Sequence, residues 1–179
     1  MWYLYLRNLL ILWLLSSFLI SCGYKFYKKP AYFKSEWKTI YIPPWKNYTS
    51  ETNLGEILAY ELRHKISQGK FLIPVYNKNQ ADLIFKGEVK RIYLQPVSYQ
   101  NFIQTKERKI NFQGSYQLIE RKTGKIILKG AISRYEIYRV PLETANVLDP
   151  GREEALKMLA KDVSELILQE IMFKDVEIK

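Results

Sequence analysis

Leu83-Ile84-Phe85-Lys86-Gly87-Glu88-Val89-Lys90 is the stretch that decides the fold. Leu83, Phe85 and Val89 fall on one side, with Tyr93 continuing the series; Lys86, Glu88 and Lys90 fall on the other. A period of two is the pleat of a β-strand with one covered and one wet face. Two later segments repeat it. Ile110, Phe112, Tyr116 and Leu118 oppose Asn111, Gln113, Ser115 and Gln117; Ile126, Leu128 and Ile132 oppose Lys129 and Ser133. Arg121-Lys122-Thr123-Gly124-Lys125 joins these two segments as a tight hairpin. Each strand also carries a glycine on its apolar side, Gly87, Gly114 and Gly130. Glycine weakens a strand, so something is expected to approach closely there. A helix backbone seated on the sheet is one reading, and a set of β-bulges is the other.

Further out, Lys38–Ile42 alternates and reads as a first strand, stopped by Pro43-Pro44, with a polar loop from Trp45 to Thr52. Leu54, Ile57, Leu58, Leu62 and Ile66 then share one helical face, with Ser50, Thr52 or Asn53 to cap it and Gly69 to end it. Phe71–Ile73 reads as a short strand. Ala155, Leu156, Leu159, Val163, Leu166, Ile167 and Ile171 form the stripe of a second helix from about Gly151 to Met172. Glu153 and Glu154 suit its positive N-terminal end. The expected fold is an α+β two-layer sandwich, with two helices on one face of a four- to five-stranded, mostly antiparallel sheet.

The N-terminal end places the chain. Leu9 to Ile20 is an apolar run of twelve residues broken only by Ser16 and Ser17, and Arg7 is the only positive charge ahead of it. That is too short to span a bilayer, which takes about 20 apolar residues, and fits a signal peptide. Leu19-Ile20-Ser21-Cys22-Gly23 resembles a bacterial lipobox, and its cysteine is the only one in the chain. The resemblance implies a signal peptide over 1–21, lipidation of Cys22 with two or three acyl chains, palmitate among them, and stable membrane anchoring. Gly23 after the cysteine, where Asp often marks inner-membrane retention, points to the periplasmic side of the outer membrane. A lipidated tether is expected over 22–36, its aromatics able to pack on a single domain over 37–179.

The chemistry of enzymes is missing from the pattern. The lone histidine, His64, lies between Arg63 and Lys65 on the polar side of the first helix, a poor place for a general base. There is no phosphate-cradling glycine loop, no nucleophile elbow and no paired carboxylates, so neither catalysis nor a cofactor or metal is expected. The charge is strongly basic, 28 Lys and Arg against 18 Asp and Glu. Export makes nucleic acid an improbable partner and leaves anionic lipids and lipopolysaccharide as the polyanions at hand.

Cys22-Gly23-Tyr24, the run Ile42-Pro43-Pro44-Trp45-Lys46-Asn47, the strand Ala81–Val89, the hairpin Arg121–Ile127 and the terminal helix from Glu153 to Ile171 together resemble the LPS-assembly lipoprotein family (LptE-like). The resemblance implies a plug and assembly partner of the β-barrel that translocates lipopolysaccharide, with weak direct binding of that glycolipid. An envelope lipoprotein of the same fold that binds a cell-wall synthase or a secretion pore is the alternative. The candidate lipopolysaccharide contacts are Arg121, Lys122 and Lys125 at the hairpin, and Lys106, Arg108 and Lys109 after the Tyr99–Thr105 connection. Strand parity adds Lys86 and Lys90 on the open face.

Overall fold

The structure is a computed structural model that describes residues 2–3, 5–8, 29–100, 104–140 and 149–174. The strands are β1 (Thr39–Tyr41), β2 (Lys46–Asn47), β3 (Ile73–Val75), β4 (Leu83–Gln100), β5 (Gln104–Glu120) and β6 (Ile126–Arg139). The helices of the domain are α1 (Leu54–Gly69) and α2 (Pro150–Phe173). They build the expected α+β sandwich around one sheet ordered β3-β1-β4-β5-β6, with β2 also paired to β4. The three long strands are antiparallel. β1 lies parallel to both β3 and β4, and β2 parallel to β4. The parallel β1–β3 pair follows from the helical crossover between them, because parallel neighbours cannot be joined by a tight turn. The sheet has six strands, one more than the most expected, because Lys46–Asn47 pairs with Glu88 and Val89 although it reads as loop.

Both helices cover the same face. Leu54, Leu58, Leu62 and Ile66 from α1 and Leu159, Val163, Ile167 and Ile171 from α2 join Leu83, Phe85, Ile110, Phe112 and Leu118 in one buried cluster. Phe33 and Trp37, from the segment ahead of β1, are buried in it as well. Asp149 caps α2 by accepting a hydrogen bond from Arg152 N, and Pro150 occupies the first turn, where its missing N–H costs nothing. At α1 the capping differs from expectation. Asn53 stands at the N-cap in a left-handed conformation with no side-chain bond, and Lys70, not Gly69, takes the left-handed position at the end. β3 is shifted to Ile73–Val75 and contains Pro74, which is tolerated on an edge strand.

The strand glycines do not carry a helix. A Cβ on Gly87 would lie 2.1 Å from the Trp45 indole, and one on Gly130 would lie 2.7 Å from the Tyr116 ring. These glycines seat aromatic rings. Trp45 is wedged between Gly87 on the sheet and Gly55 in the first turn of α1, where its backbone N–H donates to Gly55 O at 3.1 Å. Gly114 sits at a bulge, since it pairs with Val89 while its neighbour Gln113 pairs with Arg91, leaving Lys90 as an extra residue on β4. The bulge reverses parity. Beyond it Ile92 packs on the core, and Tyr93 turns to the open face, contrary to the alternation read before the bulge. A Cβ at Gly114 would stand 2.8 Å from both Glu88 O and the Phe112 ring. Gly114→Val is therefore expected to cost about 1–3 kcal/mol by overpacking, measurable as a lower midpoint in denaturant. An unchanged midpoint would show that the bulge relaxes around a branched side chain.

Candidate functional site

Two carboxylates, Asp82 just before β4 and Glu120 at the end of β5, fasten the sheet where the hairpin leaves it. Asp82 accepts from Lys38 N (2.9 Å), Thr39 N (3.0 Å) and Thr39 Oγ1 (2.9 Å), tying the start of β4 to the start of β1. Burial alone would raise its pKa, but these donors prevail and lower it. Glu120, only 5 % exposed, accepts from Lys34 Nζ (2.6 Å), Trp37 Nε1 (3.0 Å) and Thr123 Oγ1 (2.5 Å). The Lys34 bond first, then the Thr123 hydroxyl, pull its pKa down to about 2. One carboxylate thus joins the segment ahead of β1, the end of β5 and the hairpin turn. Gly124, at φ 72°, takes the left-handed position that the turn requires.

This arrangement sorts the expected contacts. Arg121 donates through Nε to Ala81 O, and its backbone N–H donates to Asp82 O, so its cation is engaged in joining the hairpin to β4. Lys122 and Lys125 are exposed at the tip. Arg108 pairs with Asp149 at 3.2 Å, the same carboxylate that caps α2 and accepts the Tyr138 hydroxyl at 2.6 Å. Burial, then that bond, raise the Tyr138 pKa to about 12. Lys109 Nζ lies 3.8 Å from the centroid of the Tyr135 ring. Lys106 is exposed. Cys22 lies outside the described residues. The two basic groups fall at opposite ends of β5, roughly 50 Å apart at about 3.4 Å per residue, and do not form one site.

The structure brings a third group together. Register aligns Lys86, Gln117 and Lys129 in one row across β4, β5 and β6, with Glu88, Ser115 and Ala131 in the next. With Lys90 of the bulge they line an open concavity of about 540 Å³ on the face away from the helices. Three cations face one carboxylate there, and among the described residues none of the three lysines has an ion-pair partner. Ammonium groups on a rigid sheet, flanked by a hydroxyl and an amide, suit the oxygens of a phosphate or carboxylate. Parity alone places Lys86 and Lys90 here. Lys129 shows the same parity within its own strand, but only the register sets it beside them.

Other chemistry is sparse. Among the described residues no three His, Cys, Asp or Glu side chains converge to hold a metal. His64 stacks on Tyr60 and hydrogen-bonds Gln68 at 2.9 Å. No helix among the described residues is long and apolar enough to cross a membrane.

The fold, two helices on one face of a mixed sheet, is shared with solved structures of bacterial lipoproteins. Three solved structures share this fold. The rare lipoprotein B from Shewanella oneidensis is 14 % identical, covering 78 % of this chain and 97 % of that one at a TM-score of 0.50. A minor lipoprotein from Acinetobacter baumannii is 12 % identical, covering 78 % and 93 %, also at 0.50. The PelC dodecamer from Paraburkholderia phytofirmans is 12 % identical, covering 76 % and 88 %, again at 0.50. No curated protein sequence matches this chain. The LptE lipopolysaccharide-assembly family matches residues 37–171, and the chain belongs to that family.

Proposed function

We propose that this protein is an outer-membrane lipoprotein, anchored through Cys22, that serves as plug and assembly partner of the lipopolysaccharide-translocating β-barrel. It binds the glycolipid weakly through the cluster of lysines on its open sheet face. The observation that carries this reading is that cluster itself, Lys86, Lys90 and Lys129 around one concavity without ion-pair partners among the described residues, in a chain of the LptE family. A wet sheet face with mixed polar groups suits the polar interior of a large barrel. The lysines suit the phosphates of lipid A. Lys122 and Lys125 at the hairpin tip stay available as a secondary contact, whereas Arg121 and Arg108 serve the fold.

The test uses the full chain in detergent, with lipid A as ligand. Lys86→Ala, Lys90→Ala and Lys129→Ala together are expected to weaken binding at least about tenfold, the loss of one or more charge-assisted hydrogen bonds. The residual binding should depend less on salt. Lys122→Ala with Lys125→Ala should have the smaller effect. Equal binding by the triple variant and the parent would remove the open face from the reading. Affinity capture from solubilised outer membrane should bring down a large barrel protein, and capture of a cell-wall synthase or secretion pore in its place would favour the alternative role.

A further inference from the structure

The bulge at Lys90 divides the open face, and the half beyond it has a different chemistry. Register places Tyr93, Asn111 and Tyr135 in one row across β4, β5 and β6, with Arg91 and Gln113 on one side of it and Lys109 on the other. Tyr135 is 54 % exposed. Each ring is accompanied by a cation, Lys109 Nζ at 3.8 Å from the Tyr135 centroid and the Arg91 guanidinium at 5.0 Å from that of Tyr93. Asn111 Nδ2 donates to Gln95 Oε1 at 3.1 Å, which fixes its amide between the two rings.

The geometry points to a saccharide-binding platform on this row, one that takes an oligosaccharide bearing negative charge. Sugar rings present C–H faces that stack on tyrosine and hydroxyl edges that pair with amides, and an amide both donates and accepts. Strands about 4.8 Å apart set the two tyrosines roughly 10 Å apart, the reach of two linked sugar rings. The cations select acidic sugars, because Arg91 and Lys109 face the patch while its other members are uncharged. A flat protein partner would ask for a larger apolar centre than Ile137 and Val97 offer at this end of the sheet.

This inference deepens the proposed function and rests on it for the source of the sugar. The tyrosine row lies six residues along β5 from the Lys86–Gln117–Lys129 row, about 20 Å away. A glycolipid with its phosphates on the lysines would extend its sugar chain along the sheet toward the tyrosines.

Two probes keep the readings apart: the lipid-free core oligosaccharide released from lipopolysaccharide by mild acid, and lipid A alone. Both are titrated into the full chain in detergent. Tyr93→Ala with Tyr135→Ala is expected to weaken oligosaccharide binding at least tenfold and to leave lipid A binding within twofold. Tyr135→Phe, which keeps the ring, should stay within about threefold of the parent. The triple lysine variant should show the reverse pattern. Oligosaccharide binding unaltered by the double tyrosine change, or absent from the parent at millimolar ligand, overturns the platform. Equal affinity for a neutral dextran fragment overturns its preference for charge. If the oligosaccharide binds through the tyrosines and lipid A does not bind, the platform stands and the lysine reading falls.

Discussion

Trp45→Ala is expected to destabilise the domain by about 3–5 kcal/mol, the range for removing a large aromatic side chain from a packed core. Trp45 is 3 % exposed and lies 5.6 Å from Phe85 and 6.5 Å from Phe112, ring centre to ring centre. Gly87, which the indole covers, has no side chain to collapse into the space it would leave. The cavity would therefore persist over Gly87 on β4. Trp45→Phe provides the control. The indole N–H has no hydrogen-bond partner among the described residues, so the ring acts through packing alone. A phenylalanine should recover more than half of the loss in a denaturant titration. A small effect of Trp45→Ala would mean that the Pro43–Asn47 segment is replaceable as a wedge.

Acid is expected to weaken the molecule first at Glu120. Its pKa is depressed from 4.5 to about 2 by Lys34 and the hydrogen bonds from Thr123 and Trp37. A carboxylate with a lowered folded-state pKa stabilises the fold above its unfolded value, and that stability is lost as pH falls through the folded value. Stability should therefore decline between about pH 4.5 and pH 2. Glu120→Gln should flatten that part of the profile while lowering stability at pH 7. The change at neutral pH follows from an amide's inability to hold Lys34 as an ion pair, and from its N–H₂ group facing a lysine or an indole donor. A Glu120→Gln profile parallel to that of the parent would assign the acid transition to other carboxylates, with Asp82 the next to examine.

The parts of the fold that were legible are those whose signal is local. Alternation in β5 puts Ile110, Phe112, Tyr116 and Leu118 on one side, and all four are buried. The stripe of α1 is likewise buried at Leu54, Leu58, Leu62 and Ile66. What escaped depends on partners far along the chain. Lys46–Asn47 becomes a strand only because β4 offers an edge to it. Gly87 is explained by a tryptophan forty-two residues earlier, not by a helix. Arg121 and Arg108 looked like free cations because Ala81 and Asp149 are remote in sequence. The candidate site shows the same division. Lys86, Lys90 and Lys129 each declare their side of a strand, but only cross-strand register makes them neighbours.

The bulge at Lys90 has a consequence for how this surface can change over generations. A single inserted residue works here as a frameshift written in space. Upstream of it, even-numbered positions of β4 face outward; from Arg91 to Gln95, odd-numbered ones do. Deleting Lys90 would join Val89 to Arg91, which already stand opposite the adjacent residues Gly114 and Gln113, and so would remove the bulge while the other side chains of the strand kept their faces. The loss of one residue is therefore absorbed here without moving either half of the open face, whereas an uncompensated loss or gain elsewhere in β4 would turn over everything beyond it. Within β4 the family's variation in length should therefore collect at the bulge, and outside it where β4 meets β5 and in the segment between β6 and α2.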